Sequence, residues 1–539
     1  FLNTSKVATS MSDEAAGKPP VVILREESSV TSGTAVQEKL IAATRVFADL
    51  LRPTFGPRGL DKMLYKTDGT TAVTNDGAKI ISELMVKHPA AKMFVAMAES
   101  QENTCGDGVT GTMLLSAELL IEGERLLKKG LHPLMVIAGY EKACNVSLTT
   151  CSNLVENIAD DTDALKDVAR TSLTGKGAEG ASDILIELIV SSLLAVKRTD
   201  ATGALRCEAE DVSMDKIGHG DLRDSRLLRG VIMRRRILLD ALPNHIEDAR
   251  VAILNGDIAL RKQKRTAEIE IEEVEQLEAF LDAEETNRDT LANSLLESGA
   301  NVFLCSGEVD KGILHRLMRS GCFAAGGLDD RELRNAALAT GATIMESGTE
   351  ITPGDLGQAG VLTAERRAAT EKVEDLIRLE ECPEPHVVTC EIGGANDLAA
   401  EEAIRALHDA LRSTSLAIKD GRVLHGGGAT HMACALAIRE AAEHEAGRER
   451  LAMEAFARAL EVIPSVLAQN AGTDSLDKLL ELRAAHRNGV IDAGIKVDGS
   501  VGPTGARISA ISLECALSAA TETCSSMLRI DQVISARGD

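Results

Sequence analysis

Gly106-Asp107-Gly108-Val109-Thr110-Gly111-Thr112 runs straight into an apolar pattern, Met113, Leu114, Leu119, Leu120 and Leu126-Leu127, that stops at Gly130. The periodicity predicts a long helix opening just after Gly108. That puts Asp107 at a helix N-terminus, where free N–H groups and the macrodipole favour an anion. Glycines let backbone N–H groups curl around a phosphate, and an Asp beside them can hold Mg²⁺ against it. A second acid–glycine turn, Thr74-Asn75-Asp76-Gly77, lies upstream, and a third glycine cluster, Gly426-Gly427-Gly428, lies far downstream. Pieces of one nucleotide site so far apart imply a domain built from both ends of the chain. One at a time the signals are weak. A glycine turn before a helix is usually only a turn, and an isolated Asp76 is more often an Asx-turn residue than a catalyst.

The 539 residues exceed one hydrophobic core and predict about three domains. With 44% hydrophobic and 26% charged residues the composition is that of an ordinary soluble globular protein. A net charge of −24 argues against nucleic acid as the main partner, because phosphate backbones need a basic face. No Trp, two Tyr and eight Phe leave little for base-stacking platforms. Eleven scattered cysteines without a C-x-x-C pair exclude zinc ribbons and predict free thiols in a reducing, cytoplasmic setting. No apolar run reaches membrane-spanning length; the strongest, near Ile184–Val196, is interrupted by Glu187 and Ser191-Ser192. Residues 1–20 read as a disordered N-terminal tail without a secretory apolar core; Phe1 is not an initiator Met, and Met11 is the expected start.

Along the chain, Val36, Leu40, Ala43, Phe47 and Leu50 predict a helix over Thr34–Leu51 that Pro53 ends, followed by the tight turn Phe55-Gly56-Pro57-Arg58-Gly59. Residues 145–229 read as helical segments and polar turns, including Thr174-Gly175-Lys176-Gly177. Val251–Leu254 and Val302–Leu304 read as buried strands flanked by helices, the α/β pattern. The acidic, heptad-like stretch Glu268–Glu297 reads as a surface helix rather than core. Val387–Ile392 is strand-like, and helix-rich sequence follows Gly393-Gly394 to the end.

Asp409 lies opposite the apolar stripe Ala403, Ile404, Leu407, Ala410 and Leu411 of its helix. Its residues alone favour a solvated carboxylate. Lys176 mimics part of a P-loop, but Gly177 stands where Ser or Thr should follow and the upstream glycine is missing, so it is not a Walker A lysine. No His pair has zinc spacing and no Gly-x-Ser-x-Gly elbow is present, which leaves a nucleophile-type hydrolase unsupported.

These loops, in this order, resemble the chaperonins, specifically the group II type of archaea and the eukaryotic cytosol, over nearly the whole chain from Val22 to Ile534. Gly56-Pro57-Arg58-Gly59-Leu60-Asp61-Lys62-Met63-Leu64 is similar to the family's first nucleotide-site signature. Thr74–Ala78 and Gly106-Asp107-Gly108 follow in order, and Thr171-Ser172-Leu173-Thr174-Gly175-Lys176-Gly177 resembles its nucleotide-sensing loop. His408-Asp409-Ala410, Gly426-Gly427-Gly428-Ala429 and Asn470-Ala471-Gly472 complete the pattern. The resemblance reverses the bland readings of Asp76, Lys176 and Asp409.

The resemblance implies a multidomain α+β and α/β chain. An equatorial helical domain would come from residues 21–158 and 416–539, an intermediate domain from 159–229 and 381–415. An α/β apical domain would span 230–380, with a helical lid protrusion near 255–300. It further implies ATP and Mg²⁺ as cofactors, other chaperonin subunits of a homo- or hetero-oligomeric double ring as partners, and non-native proteins as clients. Gly56, Pro57, Gly77 and the run Gly106, Asp107, Gly108, Val109, Thr110, Gly111, Thr112 would hold phosphates, with Asp107 on Mg²⁺. Gly427 and Asp498 would line the nucleoside pocket, Asp76 and Asp409 would orient and polarise the attacking water, and Lys176 would meet the γ-phosphate. The chain departs from the family at Val109 and Gly111, where hydroxyl residues are usual, but the carboxylates are intact, so hydrolysis is expected to be retained but slower. It departs again at Ala324-Ala325-Gly326-Gly327, where a basic pair is common. A chaperonin-like paralogue that holds partners without turnover, and a metabolic ATP-using enzyme with convergent loops, are the alternatives.

Overall fold

The computed structural model describes residues 29–32, 34–65, 71–83, 89–158, 161–176, 182–200, 202–217, 220–260, 274–366, 375–394 and 396–535. The 1–20 tail, Gly177 and residues 261–273 of the expected protrusion lie outside the described residues. The chain mixes helix and sheet, with helices dominant at both ends.

Three large hydrophobic cores form in a nested order. The first draws on both ends of the chain, from Leu40 to Cys151 and from Leu424 to Leu528. It packs the helices Thr34–Leu51, Pro89–Cys105, Val109–Lys128 and Pro133–Leu154 against Ala429–Glu443, Glu449–Leu460 and Ala510–Leu528. The strand Ser29–Ser32 pairs antiparallel with Gln532–Ser535, tying the two ends together. The helix Thr34–Leu51 ends in the 3₁₀ turn Arg52–Thr54, because Pro53 offers no N–H to continue it.

The second core gathers short segments on either side of the middle. Helices Thr162–Leu173, Ser182–Val196 and Asp397–Asp420 cover a sheet in which Val388–Ile392 lies between Val212–Lys216 and Arg226–Leu228. The strands within 145–229 escaped the sequence reading because two- to five-residue strands carry too little periodicity.

The third core fills residues 231–387. His245–Leu254 runs parallel to Val302–Cys305, which runs parallel to Phe323–Ala325. On its other side come Gly357–Glu365, Leu376–Glu380 and Val231–Arg234, all antiparallel. The expected strands Val251–Leu254 and Val302–Leu304 are therefore direct neighbours. One expectation needs correcting. The helix Val274–Glu297 is not all surface, since Ala292 and Leu295 are fully buried in this core. Its acidic composition hid two inward positions one turn apart.

All eleven cysteines are free thiols, and only Cys515 is not buried. Among the described residues no helix is long and apolar enough to cross a membrane.

Candidate functional site

The separated motifs meet at one cavity of about 740 Å³. Every site residue singled out in the sequence lines it: Gly56, Pro57, Asp76, Gly77, the run from Gly106 to Thr112, Lys176, Asp409, Gly427 and Asp498.

Two helices begin at its wall. Val109–Lys128 starts after Gly108, whose φ of 85° is left-handed, and Asp107 Oδ1 accepts the Gly108 N–H at 2.8 Å. A Cβ at Gly106, also left-handed, would run into Arg412. Thr112 is buried, and both its N–H (3.0 Å) and its hydroxyl (2.9 Å) are spent on the Gly108 carbonyl. The N–H groups of Val109, Thr110 and Gly111 keep no acceptor within the helix, as at any helix start. The second helix, Ala429–Glu443, follows Gly428, again left-handed at 82°. Gly427 accepts the Ile495 N–H at 2.9 Å, and a Cβ there would sit 2.8 Å from the Thr504 methyl.

Three loops lock together around these helix starts. Asp76 Oδ1 accepts the Ala78 N–H at 2.9 Å, so the Asx-turn reading holds for one of its oxygens while the residue still lines the cavity. Asn470 donates from its amide to the carbonyls of Arg52 (2.9 Å) and Phe55 (2.8 Å), fixing the turn that presents Gly56. The Asn75 amide donates to the Gly175 carbonyl, and a Cβ on Gly175 would lie 2.7 Å from the Gly56 carbonyl oxygen. The Thr174–Lys176 turn is thereby wedged against the Asp76 and Gly56 loops.

Lys176 and Asp409 are neither exposed nor solvated. Their side chains are 17% and 14% accessible, and Lys176 Nζ lies 2.6 Å from Asp409 Oδ2 and 3.9 Å from Asp107 Oδ1. Burial, reinforced by Asp76 and Asp107 and opposed by Lys176, pushes the Asp409 carboxyl up to about 7. Burial alone would lower the Lys176 ammonium, but Asp409, Asp107 and Asp76 outweigh it and hold the group above the usual lysine range. Glu102 is raised by burial, then by Asp76 and Asp107. Asp76, Asp107 and Asp409 thus share the Lys176 ammonium while Glu102 faces Arg412 at 3.9 Å, and three carboxylates against one ammonium leave a surplus of negative charge suited to a divalent cation. Among the described residues no three His, Cys, Asp or Glu side chains gather to hold a metal unaided. Mg²⁺, which binds through one or two carboxylates together with phosphate oxygens and water, fits such a site.

Asp498 stands at the rim. It is exposed at the tip of the hairpin Ala493–Ile495/Val501–Pro503, where its carboxylate accepts the Ser500 N–H at 2.9 Å and hydroxyl at 2.7 Å. At the two departures that lie in the phosphate loop, Val109 is buried in the helical core. A Cβ on Gly111 would meet nothing closer than the Phe55 ring, at 3.6 Å. The sequence reading gave no separate role to Asn75, Glu102, Asn470 or His431. The two asparagines lay inside quoted motifs, whereas Glu102 and His431 carried no local signal.

A model of the TCP-1/cpn60 chaperonin family matches residues 47–538. The chain belongs to that family. Among chaperonins it is similar to a thermosome subunit of Methanopyrus kandleri, 37% identical over 528 residues that cover 96% of this chain and 95% of the relative. It is also similar to the thermosome subunit beta of Methanothermobacter thermautotrophicus, 36% identical over 531 residues (97% and 96%). The thermosome subunit alpha of Archaeoglobus fulgidus is 36% identical over 526 residues (96% and 95%). This company is that of the group II chaperonins.

Proposed function

We propose that the chain is an ATP-hydrolysing subunit of a double-ring chaperonin in the cytoplasm that encloses non-native proteins beneath a built-in lid. The convergence of Asp76, Asp107 and Asp409, the Lys176 ammonium and two helix N-termini on a single cavity carries this reading. The core built from both chain ends would be the equatorial domain (21–158 and 416–539). The small core would be the intermediate domain (159–229 and 381–415), and the central sheet the apical domain (230–380), with its lid near 255–300. Supporting this layout are the nested cores and the antiparallel pairing of the terminal strands.

The chemistry asked of these residues is positioning and electrostatics, which is most of what phosphoryl transfer needs. The free N–H groups of Val109, Thr110 and Gly111, with the turns at Gly56-Pro57 and Gly77, would bind phosphate oxygens. Gly427 would let the nucleoside approach the backbone. Bound Mg²⁺, held at Asp107, would neutralise phosphate charge. Asp76 and Asp409 would orient the attacking water, with Asp409 taking its proton. Lys176 now neutralises Asp409. Drawn to a γ-phosphate, its ammonium would release that carboxylate as a base and carry the 162–176 segment with it. A contact made with ATP and lost with ADP supplies the bias that moves domains.

Steady-state hydrolysis by the purified oligomer tests the reading. Mg²⁺-dependent turnover should fall by roughly 10²- to 10⁴-fold in Asp409→Asn while ADP still binds. Unchanged turnover would remove Asp409 from the reaction. A wild-type protein that binds but does not hydrolyse ATP would favour the alternative of a partner-holding paralogue, which the missing hydroxyls at Val109 and Gly111 support.

A further inference from the structure

His431 sits in the first turn of the helix Ala429–Glu443, three residues beyond the left-handed Gly428, and lines the cavity. The imidazole is half-buried and has no hydrogen-bond or ion-pair partner among the described residues. A half-buried imidazole without a partner of its own keeps a donor and an acceptor free for what enters the cavity. Its place along the cavity follows from the helix start, where the Gly427 carbonyl accepts the Ile495 N–H at 2.9 Å and His431 lies about one helical turn further on. Burial alone lowers its pKa to about 4, so the ring is neutral at physiological pH, with one N–H donor and one acceptor. The start of its helix packs beside Ile495 and Pro464, which sets His431 on that side of the cavity. Ile463, Leu467 and Ile495, which belong to one small apolar cluster, line the same cavity. Apolar walls with a few fixed hydrogen-bonding groups suit a flat, uncharged, heteroatom-rich ligand.

We propose that His431 is a nucleoside-binding residue, its neutral imidazole hydrogen-bonding the base or ribose of a nucleotide whose phosphates lie at the Asp107 end. This rests on the nucleotide reading above and assigns one more contact within it. The phosphate cradle fixes the charged half of the ligand, and His431 recognises the uncharged half.

The test uses two probes, ADP and inorganic tripolyphosphate, titrated calorimetrically into the intact oligomer with Mg²⁺. In His431→Ala, ADP should bind roughly three- to tenfold more weakly, the worth of one neutral hydrogen bond, while tripolyphosphate affinity stays within about twofold. His431→Asn or His431→Gln, which keep an uncharged donor and acceptor, should recover part of the loss. Unaltered ADP affinity in His431→Ala would overturn the assignment. An equal loss for tripolyphosphate would also do so, since it would mean only that the helix start had been disturbed. A wild-type protein that binds neither probe would remove the nucleotide reading itself.

Discussion

At the scale of single residues, the Lys176–Asp409 pair sets how the site responds to pH. An unfolded Asp titrates near pH 3.9, and burial moves Asp409 up to about 7. Because the folded pKa is raised, the folded protein holds this proton more tightly than the unfolded chain does. The group's contribution to stability therefore declines as pH rises from about 4 to about 7. A water-activating carboxylate shows the opposite trend in catalysis, since it works only when deprotonated. kcat/KM for ATP at saturating Mg²⁺ should climb through a midpoint near pH 7. Lys176 is the cation that opposes the rise, so Lys176→Ala should shift the midpoint upward. A flat profile between about pH 6 and 8, or a downward shift in the variant, would contradict this. Neither residue's burial was legible locally: Asp409 reads as solvated on its own helix, and Lys176 as an exposed turn lysine.

At the scale of elements, the glycine turns are held from outside themselves. Asn470 lies more than four hundred residues from the turn it fixes, and its amide satisfies two carbonyls there. Asn470→Ala should cost about 1–3 kcal/mol of stability and weaken ADP binding severalfold, read by denaturant unfolding and calorimetry. Unchanged nucleotide affinity would mean that the Gly56 turn keeps its shape unaided. Helix positions were the most legible part of the sequence. Thr34–Leu51 and the helix opening after Gly108 follow from apolar spacing, Pro53 and the flanking glycines. The short strands of the small core were not legible, because their burial comes from partners more than a hundred residues away.

At the scale of the whole molecule, part of the proposed lid belongs to the central core. Ile258, Ala292 and Leu295 belong to the central core, so removing all of 255–300 would open a cavity there. Replacing residues 262–284 with a flexible linker should leave ATP hydrolysis intact and abolish protection of an enclosed client from protease. Retained protection would count against a lid in this segment. The sequence by itself determined the amphipathic helices, the left-handed glycine turns and the order of the motifs, because these depend on neighbours within a few residues. Only the tertiary structure decided which motif faces which. It joined the two chain ends into one core, turned Asp409 and Lys176 toward each other, anchored the Gly56 turn on Asn470 and left His431 in the cavity without a partner among the described residues. Those facts rest on contacts across hundreds of residues, and burial and electrostatic environment are properties of the packed chain rather than of any local run of it.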